Sequence, residues 1–317
     1  MAPPSCLTVT LNPTIDVSTS VRQLINHHKL RCDTALEQVG GGGINVGQVL
    51  HSLGSSVELF WPSGRWRGQQ IRQRLESDGL NSLTVDIEEE NRQCFTVFET
   101  DTKHEYRFVL PGPTLSRAEE QTCLQTILQH LPDQYLVLSG SLPPGLEPDF
   151  YAQVIRGAKQ IQPNLRIVVD TSGAPLRHAL DEGVFLFKPS REEFCDVTQH
   201  PAKDPIDCVK ACRTLITQGQ TAFVALTLGA EGSLLVSATN AWRVAPLQVE
   251  VSSTVGAGDS YVGGFLHALA QGLGPEQASR VATACAASAL QTQGKLAFDP
   301  QQIVALAKRV EIEPLHC

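Results

Sequence analysis

The sequence predicts an α/β protein: a mostly parallel central sheet with helices on both faces, plus a small separate β-sheet. Three observations predict it. From Leu115 onward, short apolar runs alternate with segments of helical period, as parallel strands joined by helical crossovers do. Two alternating runs, Cys94 to Glu99 and Glu105 to Leu110, flank the polar turn Thr100-Asp101-Thr102-Lys103 and read as a hairpin outside that pattern. Two glycine-rich stretches, around Gly43 and around Gly256, run straight into helical periodicity.

Size and composition bound what such a protein does. A chain of 317 residues with 42% hydrophobic content fits one large α/β domain, or one with an excursion. The formal net charge of −8 argues against nucleic acid or an anionic membrane as the main partner, though a local basic pocket stays open. Met1 to Ser5 lacks the basic and apolar regions of a secretory signal, and no run of about 18 apolar residues predicts a membrane span. Nine scattered cysteines, an odd number, predict free thiols in a reducing cytosol, hence a cytoplasmic protein. Cys208 and Cys212 are four apart on a predicted helix, but no second pair follows at zinc spacing.

Taken in order, Cys6 to Leu11 reads as a buried strand ending in Asn12-Pro13-Thr14-Ile15-Asp16, a turn bearing a carboxylate. Ligands bind at that end of strands in open α/β sheets, although an ordinary turn Asp reads the same way. Residues 17 to 35 are polar, and His28-Lys29-Leu30-Arg31-Cys32 reads as an exposed or edge strand. Gly40 to Gly43 leads into a helix through Val49, Leu50 and Leu53, stopped by Gly54. This run is neither a Walker A loop nor a dinucleotide fingerprint. A strand (57–61), a helix (70–80) and a strand (83–87) precede the hairpin, which Arg92 and Arg107 bracket. The hairpin and the 17–35 stretch together predict a lid, 17–35 with 91–111, on a body of 1–16, 36–90 and 112–317.

The regular part follows: a helix from Leu115 to His130, a strand over 135–138, the loop Ser139-Gly140-Ser141-Leu142-Pro143-Pro144-Gly145, and a helix over 148–160. A strand at 166–169 ends in Asp170. After a helix and a strand at 184–187, Lys188-Pro189-Ser190-Arg191-Glu192-Glu193 opens another helix. A helix at 205–218 and a strand at 222–226 lead into Thr227-Leu228-Gly229-Ala230-Glu231-Gly232, and 257–310 is mostly helical.

The chemistry is concentrated in Ser252-Ser253-Thr254-Val255-Gly256-Ala257-Gly258-Asp259-Ser260, a glycine turn opening a helix. First-turn amides have no internal partner, and the macrodipole adds positive potential there. Small residues let an anion reach those amides, and Asp259 puts a carboxylate in the same turn. Phosphoryl transfer to a hydroxyl needs that pair: a cradle for charge and a base. A helix start that merely carries an acidic residue reads the same way in isolation.

Together these loops resemble the ribokinase-like sugar kinases, the PfkB family. The 252–260 stretch is similar to that family's Asp-bearing C-terminal signature, and Gly41-Gly42-Gly43-Ile44-Asn45-Val46 to its N-terminal one. Lys29-Leu30-Arg31-Cys32, Tyr106-Arg107-Phe108-Val109-Leu110-Pro111-Gly112 and the Ser139 to Gly145 loop resemble the minor bacterial 6-phosphofructokinase type.

The resemblance implies a ribokinase-like fold and ATP-dependent phosphorylation of fructose 6-phosphate with Mg²⁺. Asp259 is then the base, and the amides of Gly256, Ala257 and Gly258 the anion hole. Asp16, Gly41, Gly42 and Asn45 hold sugar hydroxyls; Lys29, Arg92, Arg107 and Ser141 surround the sugar's phosphate. Lys188 reaches ATP phosphates, Glu193 orients Mg²⁺ waters, and Thr227, Gly229 and Gly232 lie against phosphate or ribose. Ser190 stands where the family motif has Asn; it still caps a helix and contacts phosphate, but lacks the amide. A K⁺ ion would lie near Ser253, Val255, Ala289, Thr292 and Gly294, with Thr292 in place of a relative's Asn. A homodimer through the lid is implied.

The rivals are a 1-phosphofructokinase, a tagatose-6-phosphate kinase, and, in another class, a non-catalytic sugar-phosphate or nucleotide sensor. In the first two the residue at Gly42 is typically Lys. The intact Gly-Ala-Gly-Asp argues against the sensor. The missing fingerprint after the first strand argues against a dinucleotide oxidoreductase.

Overall fold

The chain's computed structural model describes residues 5–292, 296 and 298–315. In chain order, β1 (Cys6–Val9) leads into a small sheet as β2 (Thr14–Val21) and β3 (Leu36–Gly40). Helix α1 (Gly42–Ser52) returns to the body, followed by β4 (Val57–Gly64), α2 (Arg65–Ser77) and β5 (Asn81–Ile87). A second excursion forms β6 (Arg92–Glu99) and β7 (Glu105–Phe108). Alternation then sets in: α3 (Arg117–Gln129), β8 (Tyr135–Ser139), α4 (Phe150–Ile161), β9 (Arg166–Asp170), α5 (Gly173–Asp181) and β10 (Val184–Phe187). Next come α6 (Arg191–Thr198), α7 (Pro205–Thr217), β11 (Thr221–Thr227), β12 (Ser233–Val236) and β13 (Ala241–Val244). The chain closes with α8 (Ala257–Ala270), α9 (Pro275–Leu290), α10 (Pro300–Ala307) and β14 (Ile312–Pro314).

The body holds a sheet of order β14-β13-β12-β11-β10-β9-β8-β1-β4-β5, parallel from β11 to β5. Its strands are apolar on both faces because both faces are covered. Leu7, Val9, Leu136, Leu138, Val169 and Phe187 pack with α3, α4 and α5 through residues such as Ile127, Phe150 and Leu176. The alternate residues Leu59, Trp61, Val137, Val168 and Leu186 pack against α1, α2 and α8 through Ile44, Ile71 and Phe265. This three-layer architecture is the expected ribokinase-like fold, with its small separate sheet.

That sheet has the order β3-β2-β6-β7. Register puts Thr14 beside Arg92, Asp16 beside Cys94, and Thr96 beside Arg107, so Asp16, Arg92 and Arg107 share one face. The other face carries Phe95, Tyr106 and Phe108, which stay 38%, 37% and 51% exposed.

Several expectations are corrected. His28 to Cys32 is not a strand: 22–35 is an exposed loop, too poor in apolar side chains to gain from a sheet. Asp16 lies inside β2, not in a turn, and Leu36–Gly40, expected in the body, pairs with β2. Helix α2 starts at Arg65, five residues before the expected start. The antiparallel edge β12, β13 and β14 went unread, although Leu234-Leu235-Val236 and the turn after Ser237 carry a hairpin pattern. Among the described residues no helix is long and apolar enough to cross a membrane, and the cysteines are unpaired.

Candidate active site

The cleft lies at the C-terminal ends of the parallel strands, where two helices start against each other. Helix α8 is capped by Gly256 in the left-handed region, at φ 76°. A side chain there would also strike Leu296, its Cβ lying 2.6 Å from a Leu296 methyl. No side chain closes this start, and the first intrahelical bond runs from the Ser260 amide to the Gly256 carbonyl at 2.8 Å. The amides of Ala257, Gly258 and Asp259 are therefore left without helical acceptors.

Helix α1 begins opposite, likewise capped by a glycine, Gly41, while the Thr10 hydroxyl accepts from the first-turn amide of Ile44 at 2.8 Å. Asn45 in its first turn donates from Nδ2 to Asp259 Oδ2 at 2.7 Å. Gly42 lies so close that an added Cβ would clash with Ser139 Oγ and sit 3.3 Å from Asp259 Oδ1. Burial pushes the Asp259 carboxyl up to about 7, and the nearby Asp170 charge adds to it; the Asn45 donor and Lys188 pull the other way.

Lys188, at the end of β10 and only 6% exposed, is paired with Asp170 at the end of neighbouring β9, Nζ to Oδ1 3.2 Å. Its Nζ is 3.2 Å from where a Cβ on Gly258 would stand, so the ammonium lies over the α8 start. Burial opposes its charge, but Asp170, Glu193 and Asp259 together keep Lys188 protonated beyond its usual range. Burial raises the Asp170 carboxyl, against the pull of Lys188.

Beside Lys188, Ser190 caps α6. Its hydroxyl accepts from the Glu193 amide, while Glu193 Oε2 accepts from the Ser190 amide at 2.7 Å. Thr227 bridges to this turn, donating from its amide and its hydroxyl to the Pro189 carbonyl at 2.9 and 3.0 Å. Gly229 and Gly232 follow at φ 61° and 92° around a single 3₁₀ turn, which Arg191 ties down by an ion pair to Glu231.

On the opposite side, Asp16 is half-buried, its carboxyl raised by burial and lowered by a Thr14 hydrogen bond and by Arg107 and Arg92. Ser141 follows β8 and is bonded by Asn12. Lys29 is exposed on the loop between β2 and β3. The amides of Ser252 and Ser253 donate to the Leu290 carbonyl at the end of α9, and Val255 donates to Ser253 Oγ. Thr292 donates from its amide to the Ala289 carbonyl, which brings the residues expected around K⁺ to one corner. Gly294 lies outside the described residues.

Two groups of the site do not stand out in the sequence: the part-buried Asp170 at the tip of β9 and the buried Asn12 after β1. Their shared signal is a polar side chain just after an apolar parallel strand, where the cleft must be.

Residues 10–302 match the model of the pfkB family carbohydrate kinases. ATP-dependent 6-phosphofructokinase isozyme 2 of Mycobacterium tuberculosis is 34% identical over 301 residues, covering 95% of this chain and 88% of that one. The 1-phosphofructokinase of Haloferax volcanii is 31% identical over 307 residues, with 96% and 97% covered. Phosphofructokinase-2 from Escherichia coli in complex with fructose-6-phosphate superposes with a TM-score of 0.89 at 31% identity, covering 96% of this chain and 99% of that one. The same protein has been solved with potassium and in a tetrameric inhibited form. The chain belongs to the pfkB family of carbohydrate kinases.

Proposed function

We propose that the chain is an ATP-dependent 6-phosphofructokinase, phosphorylating the 1-hydroxyl of fructose 6-phosphate. The observation that carries this is Asp259: a carboxylate in the first turn of an unclosed helix, steered by Asn45, with bare backbone beside it. Asp259 accepts the proton of the attacking hydroxyl. Asn45 aims its second oxygen, and Asp16 and the backbone of Gly41 and Gly42 orient the sugar. The amides of Gly256, Ala257 and Gly258, with Lys188 above them, stabilise negative charge developing on the transferred group.

The donors present suit a magnesium nucleotide. Lys188 and the α8 amides suit phosphate oxygens, and the Glu193 carboxylate suits a water of the metal. Ser190, Thr227, Gly229 and Gly232 form the nucleotide's side of the cleft. Bound Mg²⁺-ATP supplies the phosphoryl group and neutralises its charge. The carbonyls of Ser253, Val255 and Ala289, with Thr292, suit a K⁺ ion, as in the E. coli relative solved with potassium.

The polar face of the small sheet supports the substrate. Arg92 and Arg107, with Ser141, hold the phosphate already on the sugar, and Lys29 adds charge when its loop folds in. Gly42 favours the 6-phosphate over the rival substrates, since 1-phosphofructokinases and tagatose-phosphate kinases typically carry Lys there, a charge that would stand beside Asp259; here a Cβ at this position would meet Ser139 Oγ. The exposed aromatic face of the same sheet supports a homodimer through the lid. Free thiols fit a cytoplasmic setting.

Steady-state kinetics on fructose 6-phosphate, fructose 1-phosphate and tagatose 6-phosphate test this reading. The highest kcat/KM is expected on fructose 6-phosphate. Arg107→Ala should raise KM for that sugar far more than for ATP. A higher kcat/KM on either rival overturns the substrate, and no turnover on any of them overturns the kinase.

A further inference from the structure

The chain passes between the body and the small sheet at several points, and two of them meet at one side chain. Asn12 sits where β1 leaves the body to become β2. Gly112 sits where the chain returns after β7. A Cβ on Gly112 would clash with Asn12 Oδ1 and lie 2.8 and 3.0 Å from its Cγ and Nδ2, so the Asn12 amide is seated directly on the returning backbone. Asn12 is only 6% exposed.

From that position it reaches both halves of the phosphate end. Its Nδ2 donates to Ser141 Oγ, 3.3 Å away on the loop after β8, which belongs to the body. Its backbone carbonyl accepts from Arg92 Nη2 at 3.1 Å, and Arg92 begins strand β6 of the small sheet. The Leu110 carbonyl holds the other guanidinium nitrogen at 3.2 Å, on the returning segment. Two buried polar atoms in this group have no hydrogen-bond partner: Asn12 Oδ1 and Arg92 Nε. Both atoms lie beside the proposed phosphate site and keep hydrogen-bonding capacity that the fold does not use.

We infer that Asn12 is a positioning residue for the sugar phosphate: it sets the spacing between Ser141 on the body and Arg92 on the small sheet. The inference rests on the phosphosugar reading of the site and adds a residue to it. A phosphate held by one group from each layer is bound well only when that spacing is fixed beforehand. Without the Asn12 amide, Ser141 is free to turn relative to Arg92, which stays bonded to the Asn12 backbone carbonyl.

The test is a double-mutant cycle on the enzyme with the phosphosugar it turns over best. Asn12→Ala should raise KM for that sugar about 5–30-fold, the equivalent of one or two hydrogen bonds, with KM for ATP changed less than about 2-fold. Ser141→Ala should raise the sugar's KM too. Adding it to Asn12→Ala should cost less than about half, on a logarithmic scale, of what it costs alone, because both act through one contact. Should Asn12→Ala fail to fold, Asn12→Asp keeps the shape, and its negative charge beside Arg92 should raise the sugar's KM at least as much. Additive effects, or equal rises in KM for sugar and ATP, overturn the inference and leave the kinase reading intact. A wild-type enzyme inactive on every phosphosugar takes down both.

Discussion

Two helix starts face the cleft from the nucleotide side, and they are built in opposite ways. Helix α6 is closed: Ser190 and Glu193 satisfy each other's amides in a reciprocal box, so this end needs no ligand to be complete. Helix α8 is open: a left-handed glycine stands at its cap, no side chain reaches back, and a carboxylate shares the turn with bare amides. Elsewhere Ser116, Asp204 and Asp299 close α3, α7 and α10 with their side chains. A capped start contributes about 1 kcal/mol to stability, and leaving it open forgoes that. The difference teaches where the protein leaves first-turn amides open to a ligand and where it uses up the same groups for the fold.

The largest effect should come from the open start. Asp259→Asn should lower kcat by roughly 10²–10⁴-fold, the scale for a lost base. The same change should raise Tm at pH 8 by about 2–5 °C, since it removes a charge that burial disfavours. With the folded-state carboxyl held near 7, above its ordinary 3.8, the folded form binds the extra proton between these values. Its contribution to stability therefore falls as pH rises across that window, and the Tm advantage of the Asn variant should shrink towards pH 4. Activity runs the other way: kcat/KM for the sugar should climb as pH rises to about 7 and then level off. Asp170→Asn should move that limb to lower pH, because the Asp170 charge helps hold Asp259 up. A limb that stays in place separates the two carboxylates, and near-normal kcat in Asp259→Asn removes the open start from the mechanism.

An intermediate effect should follow from Gly256→Ala. The methyl must be placed at φ 76° and against Leu296, so the α8 amides shift and kcat should fall about tenfold or more, with a lowered Tm. Thermal melts and single-turnover kinetics read both. An unchanged kcat with only Tm lowered would make the two starts alike after all.

The smallest effect should come from the closed start. Ser190→Ala should lower stability by about 1 kcal/mol while kcat changes less than about 3-fold, since α6 is closed for its own sake. Ser190→Asn restores the usual family residue and caps as well, so stability should hold and ATP or Mg²⁺ affinity stay equal or improve. Calorimetric titration with Mg²⁺-ATP checks this. A folded Ser190→Asn enzyme that no longer uses ATP would show that the closed start is specialised around serine.

The elements bearing the chemistry were legible because their chemistry is local. A helix start with small residues and an acid in its first turn is a property of five consecutive residues, which put Asp259 forward as a candidate that only the resemblance of the other loops then favoured. The parallel strands were legible because burial on both faces forces continuous apolar runs. The exposed 22–35 segment misled for the converse reason: alternation without apolar content carries no burial to fix a strand. Of the edge strands, only β14 depends on a partner about 70 residues away, β13, which no local window contains; β12 and β13 form a local hairpin.

By itself the sequence determined the layered α/β body and the two glycine-opened helices, because each is written in short-range pattern and residue type. Only the tertiary structure decided that Asn45, 214 positions away, steers Asp259, and that Asp170 and Lys188 pair beside it. It alone decided, too, that Asn12 joins the body to the small sheet. These are meetings of strand ends and helix starts brought together by sheet order, and sheet order is set by packing over the whole chain rather than by any stretch of it.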